Sequence, residues 1–206
     1  IHTHTGSVSI AALPYRDNLS LLGRYLQQLF MESLGKRYDK DGELVEFGVS
    51  VLGNKGSTDQ HALVQQLVDG PSNFLNIIIE RPSEGSYPNK LPEAMGRTLR
   101  EANILLSCFA KGTLNALSSR GKPNLHISLS DSEVSTLGGL IALFENTVGI
   151  LANLLNINAY DQPAVEIGKK AASKYRLLVS EYEKSSRDGT LNHQDQDIAW
   201  IKELLE

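Results

Sequence analysis

The 206-residue chain has a single cysteine, little excess of charge of either sign and no long apolar run. One cysteine, Cys108, excludes an intrachain disulfide framework and a zinc site built from several cysteines. It fits a reducing compartment such as the cytoplasm. The 24 acidic and 20 basic side chains give a net charge of −4, so no basic footprint for nucleic acid is present.

Several signatures of other functional classes are also missing. No stretch approaches the ~18 uncharged apolar residues of a membrane span, so we expect no membrane anchor. The chain starts at Ile1 without a signal-peptide pattern, which favours a fragment or a processed product. It has no Gly-x-Ser-x-Gly elbow, no dinucleotide fingerprint and no convincing metal-ligand spacing. We therefore expect no serine hydrolase, no nucleotide cofactor and no metal.

What is present is an alternation of short apolar runs with helical patterns. The runs predict strands at 9–15, 47–52, 74–80 and 123–129. The helical patterns predict helices at 17–34, 57–68, 91–119, 133–155, 163–184 and 195–205. This alternation predicts a doubly wound α/β fold with a mainly parallel sheet between helices and a helical carboxyl-terminal extension. We expect a flexible start at 1–8, an α/β domain at 9–157 and a helical segment at 158–206 that packs on it.

The predicted helix at 17–34 carries a carboxylate among apolar side chains. On a helical wheel, Glu32 falls within one apolar arc, and Gln28 lies one turn before it. That arc is formed by Leu21, Leu22, Tyr25, Leu26, Leu29 and Phe30. A carboxylate on an apolar face is costly to keep charged, and such a group suits proton transfer near neutral pH. The alternative is that Glu32, near the helix end, turns out to solvent.

A glycine-containing loop with the sequence GNKG, at 53–56, links a predicted strand to the next helix. Ser57 and Gln60 have the spacing of a capping box, and free backbone N–H groups of the loop could hold an anion. His61 lies in the first turn of the helix. The positive helix end there favours a neutral imidazole, which can both donate and accept a hydrogen bond. Alternatively, His61 only packs or faces water.

The helix predicted from Pro163 carries Lys169 at the edge of its apolar stripe, where the side chain could reach over the rim of the domain. Lys170 points away from the stripe. The alternative for both lysines is simple solvation. Cys108, within LLSCFA, is expected to be a buried small hydrophobe, and His126, within a strand, is expected to be structural.

Three motifs together resemble the glucose-6-phosphate isomerase (phosphoglucose isomerase) family. They are QQLFMESLGK at 27–36, GNKGSTDQHA at 53–62 and NAYDQPAVEIGK at 158–169. They occur in the order of the family. The resemblance covers only the carboxyl-terminal part of that enzyme, which is roughly its second sugar-isomerase (SIS) domain and the final helical segment.

The resemblance implies an isomerase of glucose 6-phosphate and fructose 6-phosphate that needs no cofactor or metal. Glu32 matches the proton-transferring carboxylate, which works through a cis-enediolate. His61 matches the ring-opening histidine, which reaches into the site of a partner subunit, so a homodimer is implied. Lys169 matches the lysine at the ring oxygen, and Gln28 and Gln162 match glutamines that line the sugar site.

Two departures from the family accompany this resemblance. Ala164 stands where the family usually has glycine. The phosphate-binding loop and the arginine of the first SIS domain are not in this sequence, so we expect the missing amino-terminal half to be a partner. The alternative function is a non-catalytic SIS-type module for sugar-phosphate binding or dimerisation. The apolar helix around 138–155 is our candidate for an association surface, although the same pattern also fits a core helix.

Overall fold

The computed structural model describes residues 8–81, 93–131 and 133–188, together with residues 201, 203 and 204. The chain divides into two compact units, residues 1–160 and residues 161–206. The strands in the described residues are β1 (Val8–Pro14), β2 (Lys36–Tyr38), β3 (Leu44–Phe47), β4 (Val49–Gly53), β5 (Phe74–Glu80) and β6 (Asn124–Ser128). The α-helices are α1 (Leu22–Leu34), α2 (Gln60–Asp69), α3 (Glu93–Ser119), α4 (Val134–Leu154) and α5 (Pro163–Arg187).

The first unit is built on a four-stranded sheet with the order β4-β1-β5-β6, in which every neighbouring pair is parallel. β1 is central because its run of small and branched apolar residues can be buried on both faces. Its register places Ile10 beside Val51 on one side and beside Leu75 on the other. The predicted α/β fold with a mainly parallel sheet is confirmed.

Alternate residues of the strands face opposite layers of helices. Ile10 and Ala12 of β1 pack in one cluster with the buried side chains of α1 and α4. Ala11 and Leu13 pack in the other with Leu67 of α2 and with buried residues of α3. Helices on both faces are typical of a doubly wound sheet, and they bring the carboxyl ends of β1, β4, β5 and β6 to one edge.

The sequence patterns were least accurate at helix starts. A 3-10 turn covers Asp17–Leu19, and α1 begins only at Leu22, so the helix predicted from residue 17 starts later than expected. Leu21, assigned above to the apolar arc, precedes the helix and is 76% exposed. The predicted capping box is also wrong, because α2 begins at Gln60 behind Asp59 and the cap makes no side-chain hydrogen bond.

Other differences from the prediction concern the extent of two helices and a hairpin. α3 runs without interruption through Gly112, and α5 continues to Arg187, beyond the end predicted at residue 184. The hairpin of β2 and β3 was not predicted. The segment 82–90, between the predicted strand at 74–80 and the predicted helix at 91–119, lies outside the described residues, as do nearly all of the start at 1–8 and of the helix at 195–205.

α4 is rich in apolar residues, but only one of its faces is buried. Its buried stripe packs on α1, where the rings of Phe30 and Phe144 meet edge to face at 6.3 Å. That stripe is Leu140, Phe144, Val148 and Ala152. By length and composition alone, α4 could cross a membrane, a test that core helices of soluble proteins also pass. The opposite face leaves Leu143, Ile150 and Leu154 exposed.

Candidate active site

The carboxylate of Glu32 lies on the solvent-facing border of α1, beside Gln28. The Gln28 amide donates a hydrogen bond from Nε2 to Oε2 of Glu32 over 3.1 Å, as the one-turn spacing predicts. The buried face of α1 is formed by Leu22, Gly23, Leu26, Phe30 and Leu34. Glu32 is half-buried, at the edge of that face, so it combines a fixed backbone with access to a ligand.

An open pocket of about 350 Å³ surrounds this pair, lined by Arg24, Gln27, Gln28, Met31 and Glu32. The sequence analysis did not single out Arg24. Its position was nevertheless signalled by spacing, because residues 24, 28 and 32 follow one another at intervals of one helical turn. The pocket therefore brings together a carboxylate, an amide and a guanidinium on one helix.

Lys36 secures the end of the helix that carries Glu32. Its side chain is buried, and Nζ donates to the main-chain carbonyl of Glu32 over 3.1 Å. A cation that bonds the last carbonyls of a helix satisfies acceptors that have no partner in the helix and interacts favourably with the helix dipole. The same contact places the positive charge of Lys36 next to the main chain of Glu32, the candidate proton-transfer residue.

His61 lies in the first turn of α2, at the end of the loop that follows β4. It is exposed, and it lines a separate pocket of about 420 Å³ between α2 and α3 together with Gln60, Cys108 and Thr113. The structure therefore does not bring Glu32 and His61 into one pocket. Cys108 is exposed, so the expectation that it is a buried hydrophobe is wrong.

Three N–H groups of the loop between β4 and α2, which its glycines suggested as an anion site, already have partners. The N–H groups of Asn54 and Gly56 donate to the carbonyls of Ala12 and Pro14 at 3.2 and 2.9 Å. The N–H of Lys55 donates to the Asp59 carboxylate at 3.0 Å. These three donors are therefore not available to an anion, and an anion site at this loop stays a prediction.

Gln162 and Lys169 belong to the second unit. Gln162 immediately precedes α5, and Pro163 occupies the first turn, where its missing N–H costs nothing. The ammonium of Lys169 donates to Oε1 of Glu166 over 2.8 Å, and its side chain is 66% exposed. The structure thus gives Lys169 a local partner, while its role at a sugar ring stays a prediction.

His126 of β6 is exposed, and its ring contacts the buried carboxylate of Glu80, which fits the structural role expected for it. Its Nε2 lies 2.8 Å from Oε1 of Glu80, which is 2% exposed at the end of β5, and Lys111 approaches the same oxygen at 3.6 Å. A buried carboxylate needs such partners to stay charged. Within the described ranges, no three His, Cys, Asp or Glu residues are grouped so as to hold a metal ion.

Comparison with known proteins identifies the family. The family model of phosphoglucose isomerase matches residues 2–195. The chain is 49% identical over 182 residues to a glucose-6-phosphate isomerase of Prochlorococcus marinus strain MIT 9301, covering 85% of this chain and 33% of that relative. It is 52% identical over 171 residues to the isomerase of strain MIT 9211, covering 82% of this chain and 30% of that relative.

Solved structures share the fold. A hypothetical protein of Thermus thermophilus matches with a TM-score of 0.68 and 30% identity, over 85% of this chain and 43% of that protein. A glucose-6-phosphate isomerase of Chlamydia trachomatis matches with a TM-score of 0.68 and 18% identity, over 98% of this chain and 39% of that protein. The chain spans about one third of the length of the curated relatives it matches. By these matches, the chain belongs to the phosphoglucose isomerase family.

Proposed function

We propose that this chain carries the proton-transfer part of a glucose-6-phosphate isomerase, which interconverts glucose 6-phosphate and fructose 6-phosphate in the cytoplasm. The observation that carries the proposal is the Gln28–Glu32 pair, bonded at 3.1 Å on an accessible helix border in a chain of the phosphoglucose isomerase family. A base beside a carbonyl is what an aldose–ketose isomerisation requires.

In this proposal Glu32 moves one proton between neighbouring carbons. Its carboxylate accepts the proton from C2 of the open-chain aldose, the C–H electron pair forms the C1–C2 double bond, and O1 takes up the negative charge. The protonated Glu32 then returns the proton to C1, while the proton of the O2 hydroxyl passes to O1. Gln28 holds the Glu32 oxygen in place, and nearby cations and hydrogen-bond donors stabilise the enediolate.

His61 acts on ring opening from a second copy of the chain. Two features support this assignment: His61 matches the ring-opening histidine in the motif at 53–62, and it lines a pocket separate from that of Glu32. The proposal therefore includes a homodimer. Lys169 assists at the ring oxygen, and Gln162 contacts the sugar. No cofactor or metal takes part.

The phosphate is held by a part of the isomerase that this sequence does not contain. The N–H groups of Asn54, Lys55 and Gly56 support this division, because all three already donate hydrogen bonds within the protein. Binding of the phosphate would supply energy that positions the reacting end of the sugar against Glu32.

The test is a coupled assay for conversion of fructose 6-phosphate to glucose 6-phosphate. The purified chain is assayed alone and mixed with the amino-terminal part of a related isomerase. Activity only in the mixture is the expected result. Activity of the chain alone would overturn the proposed location of the phosphate site. Sugar-phosphate binding without turnover in either sample would show that the chain is a non-catalytic binding module and not part of an isomerase.

A further inference from the structure

The loop at 54–59, between β4 and α2, is closed by the side chain of Asp59. Oδ2 of Asp59 accepts hydrogen bonds from Nδ2 of Asn54 at 2.9 Å and from the N–H of Lys55 at 3.0 Å. Oδ1 accepts one from Oγ1 of Thr58 at 3.3 Å. The bond from Asn54, followed by that from Lys55, holds the pKa of Asp59 below its usual value. The bonds that close the loop therefore favour the charged form of this carboxylate.

The same loop is attached to the segment that leads into α1. Lys55 forms an ion pair with Asp17, in the turn that precedes α1. Gly53 and Gly23 are in backbone contact, since a Cβ atom added to Gly23 would lie 2.9 Å from the carbonyl carbon of Gly53. The loop is thus fixed relative to the helix that carries Glu32.

Asp59 also starts the helix that presents His61. The N–H groups of Ala62 and Leu63 donate to the main-chain carbonyl of Asp59 at 3.0 and 3.2 Å. His61 itself is exposed, so the packing of its own side chain does little to fix its direction. The backbone at 59–61 sets the position from which the imidazole projects, and the Asp59 carboxylate bonds the loop that leads into that backbone.

We infer that Asp59 is a positioning residue for His61: its bonds to Asn54 and Lys55 close the loop and aim the imidazole. This inference rests on the proposed function only for its effect on turnover. The geometric part, that Asp59 determines the orientation of His61, can be measured without any assay of activity.

The test compares Asp59→Asn with Asp39→Asn. Asp39 is a matched control, because its Oδ1 closes the β2–β3 turn in the same way, accepting from the N–H groups of Asp41 and Glu43 at 2.9 and 2.8 Å. Both substitutions remove a charged carboxylate that accepts hydrogen bonds from its loop. Only Asp59 lies next to the first turn of α2, which carries His61. A role limited to stability would affect the two variants alike.

The measurements are steady-state kinetics in the mixture described above and an NMR titration of the histidine ring protons. The His61 signal is assigned by its loss in His61→Gln. For Asp59→Asn we expect a fall in kcat of about tenfold with little change in KM, since a small misplacement of a catalytic group is costly. We also expect a shifted or doubled His61 resonance. For Asp39→Asn we expect neither effect.

An unchanged His61 resonance in Asp59→Asn, with kcat equal to that of Asp39→Asn, would overturn the inference. If the wild-type mixture does not turn over substrate, the proposed function fails, while the NMR titration still decides the role of Asp59. If Asp59→Asn does not fold, Asn54→Ala replaces it. That variant removes one donor to the carboxylate, and we expect a smaller shift of the His61 signal.

Discussion

The hydroxyl of Tyr25 on α1 donates a hydrogen bond to Oε1 of Glu145 on α4 over 2.8 Å. Burial of the phenol, followed by this bond and the negative charge of Glu145, raises the pKa of Tyr25 to about 12. The pair joins two helices on the same face of the sheet. Ionisation of Tyr25 would place two negative charges side by side, so the contact stabilises the fold only while the phenol is neutral.

This contact predicts a pH dependence at the alkaline end. Because the pKa is raised from about 10 in the unfolded chain to about 12 in the folded one, its contribution is fully present below pH 10. It is lost as pH rises through 12. Glu145→Gln should lower the pKa of Tyr25, as measured by ultraviolet difference titration against Tyr25→Phe. An unchanged titration in Glu145→Gln would show that the carboxylate has no influence.

A contact between two side chains could be predicted from the sequence when both residues lie in the same helix. The Gln28–Glu32 contact followed from helical spacing, and the structure confirms it. The exposure of Cys108 did not follow, because an apolar neighbourhood in sequence does not tell which face of a long helix is covered. The pairing of His126 with Glu80 joins two strands and required the sheet register.

Among the structural elements, α1 and the end of β4 approach each other through two glycines. A Cβ atom added at Gly53 would overlap the carbonyl group of Gly23, which is backbone and cannot move aside. Gly53→Ala should therefore lower the free energy of unfolding by about 1–3 kcal/mol, the usual cost of overpacking. Chemical denaturation of the purified chain measures this change.

Gly112→Ala is the control for that substitution. Gly112 lies inside α3, and a Cβ atom there would meet nothing within 4 Å. Alanine should stabilise the helix by about 0.5–1 kcal/mol, since glycine loses more conformational freedom on folding. If both variants changed stability in the same direction, the close contact of Gly23 with Gly53 would not be the cause.

The strands of the main sheet could be predicted because each is a short apolar run, as in Phe74–Glu80. The hairpin of β2 and β3 could not be predicted from apolarity, because its strands are short and largely exposed. Its turn did carry a signal in Asp41-Gly42, where Gly42 has φ of +87°. Helix starts were less predictable: Asp17 and Ser57 are residue types that often cap helices, but the α-helices begin at Leu22 and Gln60.

On the scale of the whole molecule, α4 leaves an apolar ridge uncovered. Leu143, Ile150 and Leu154 lie one or two turns apart and are 53%, 63% and 75% exposed. Exposed apolar patches often mark association sites, so this ridge is expected to associate. The prediction from sequence that this helix provides an association surface stays open until association is measured.

Sedimentation velocity over a range of concentrations tests this ridge. We expect association of the chain that Ile150→Lys abolishes, because a lysine in the middle of the ridge would be desolvated in the contact. Leu21→Lys is the control, since Leu21 is equally exposed but precedes α1. A wild-type chain that stays monomeric at every concentration would contradict self-association through α4.

The central claim is that Glu32 is the proton-transferring group of an isomerase. The most direct measurement is the turnover of Glu32→Gln beside wild type, in the mixture with the amino-terminal part, with sugar-phosphate binding measured by calorimetry. We predict that turnover falls by roughly 10²–10⁴-fold, while binding is kept, because glutamine retains the shape and loses only the base. Glu43→Gln, an exposed carboxylate of the hairpin, should match wild type. Near-normal turnover of Glu32→Gln would contradict the account.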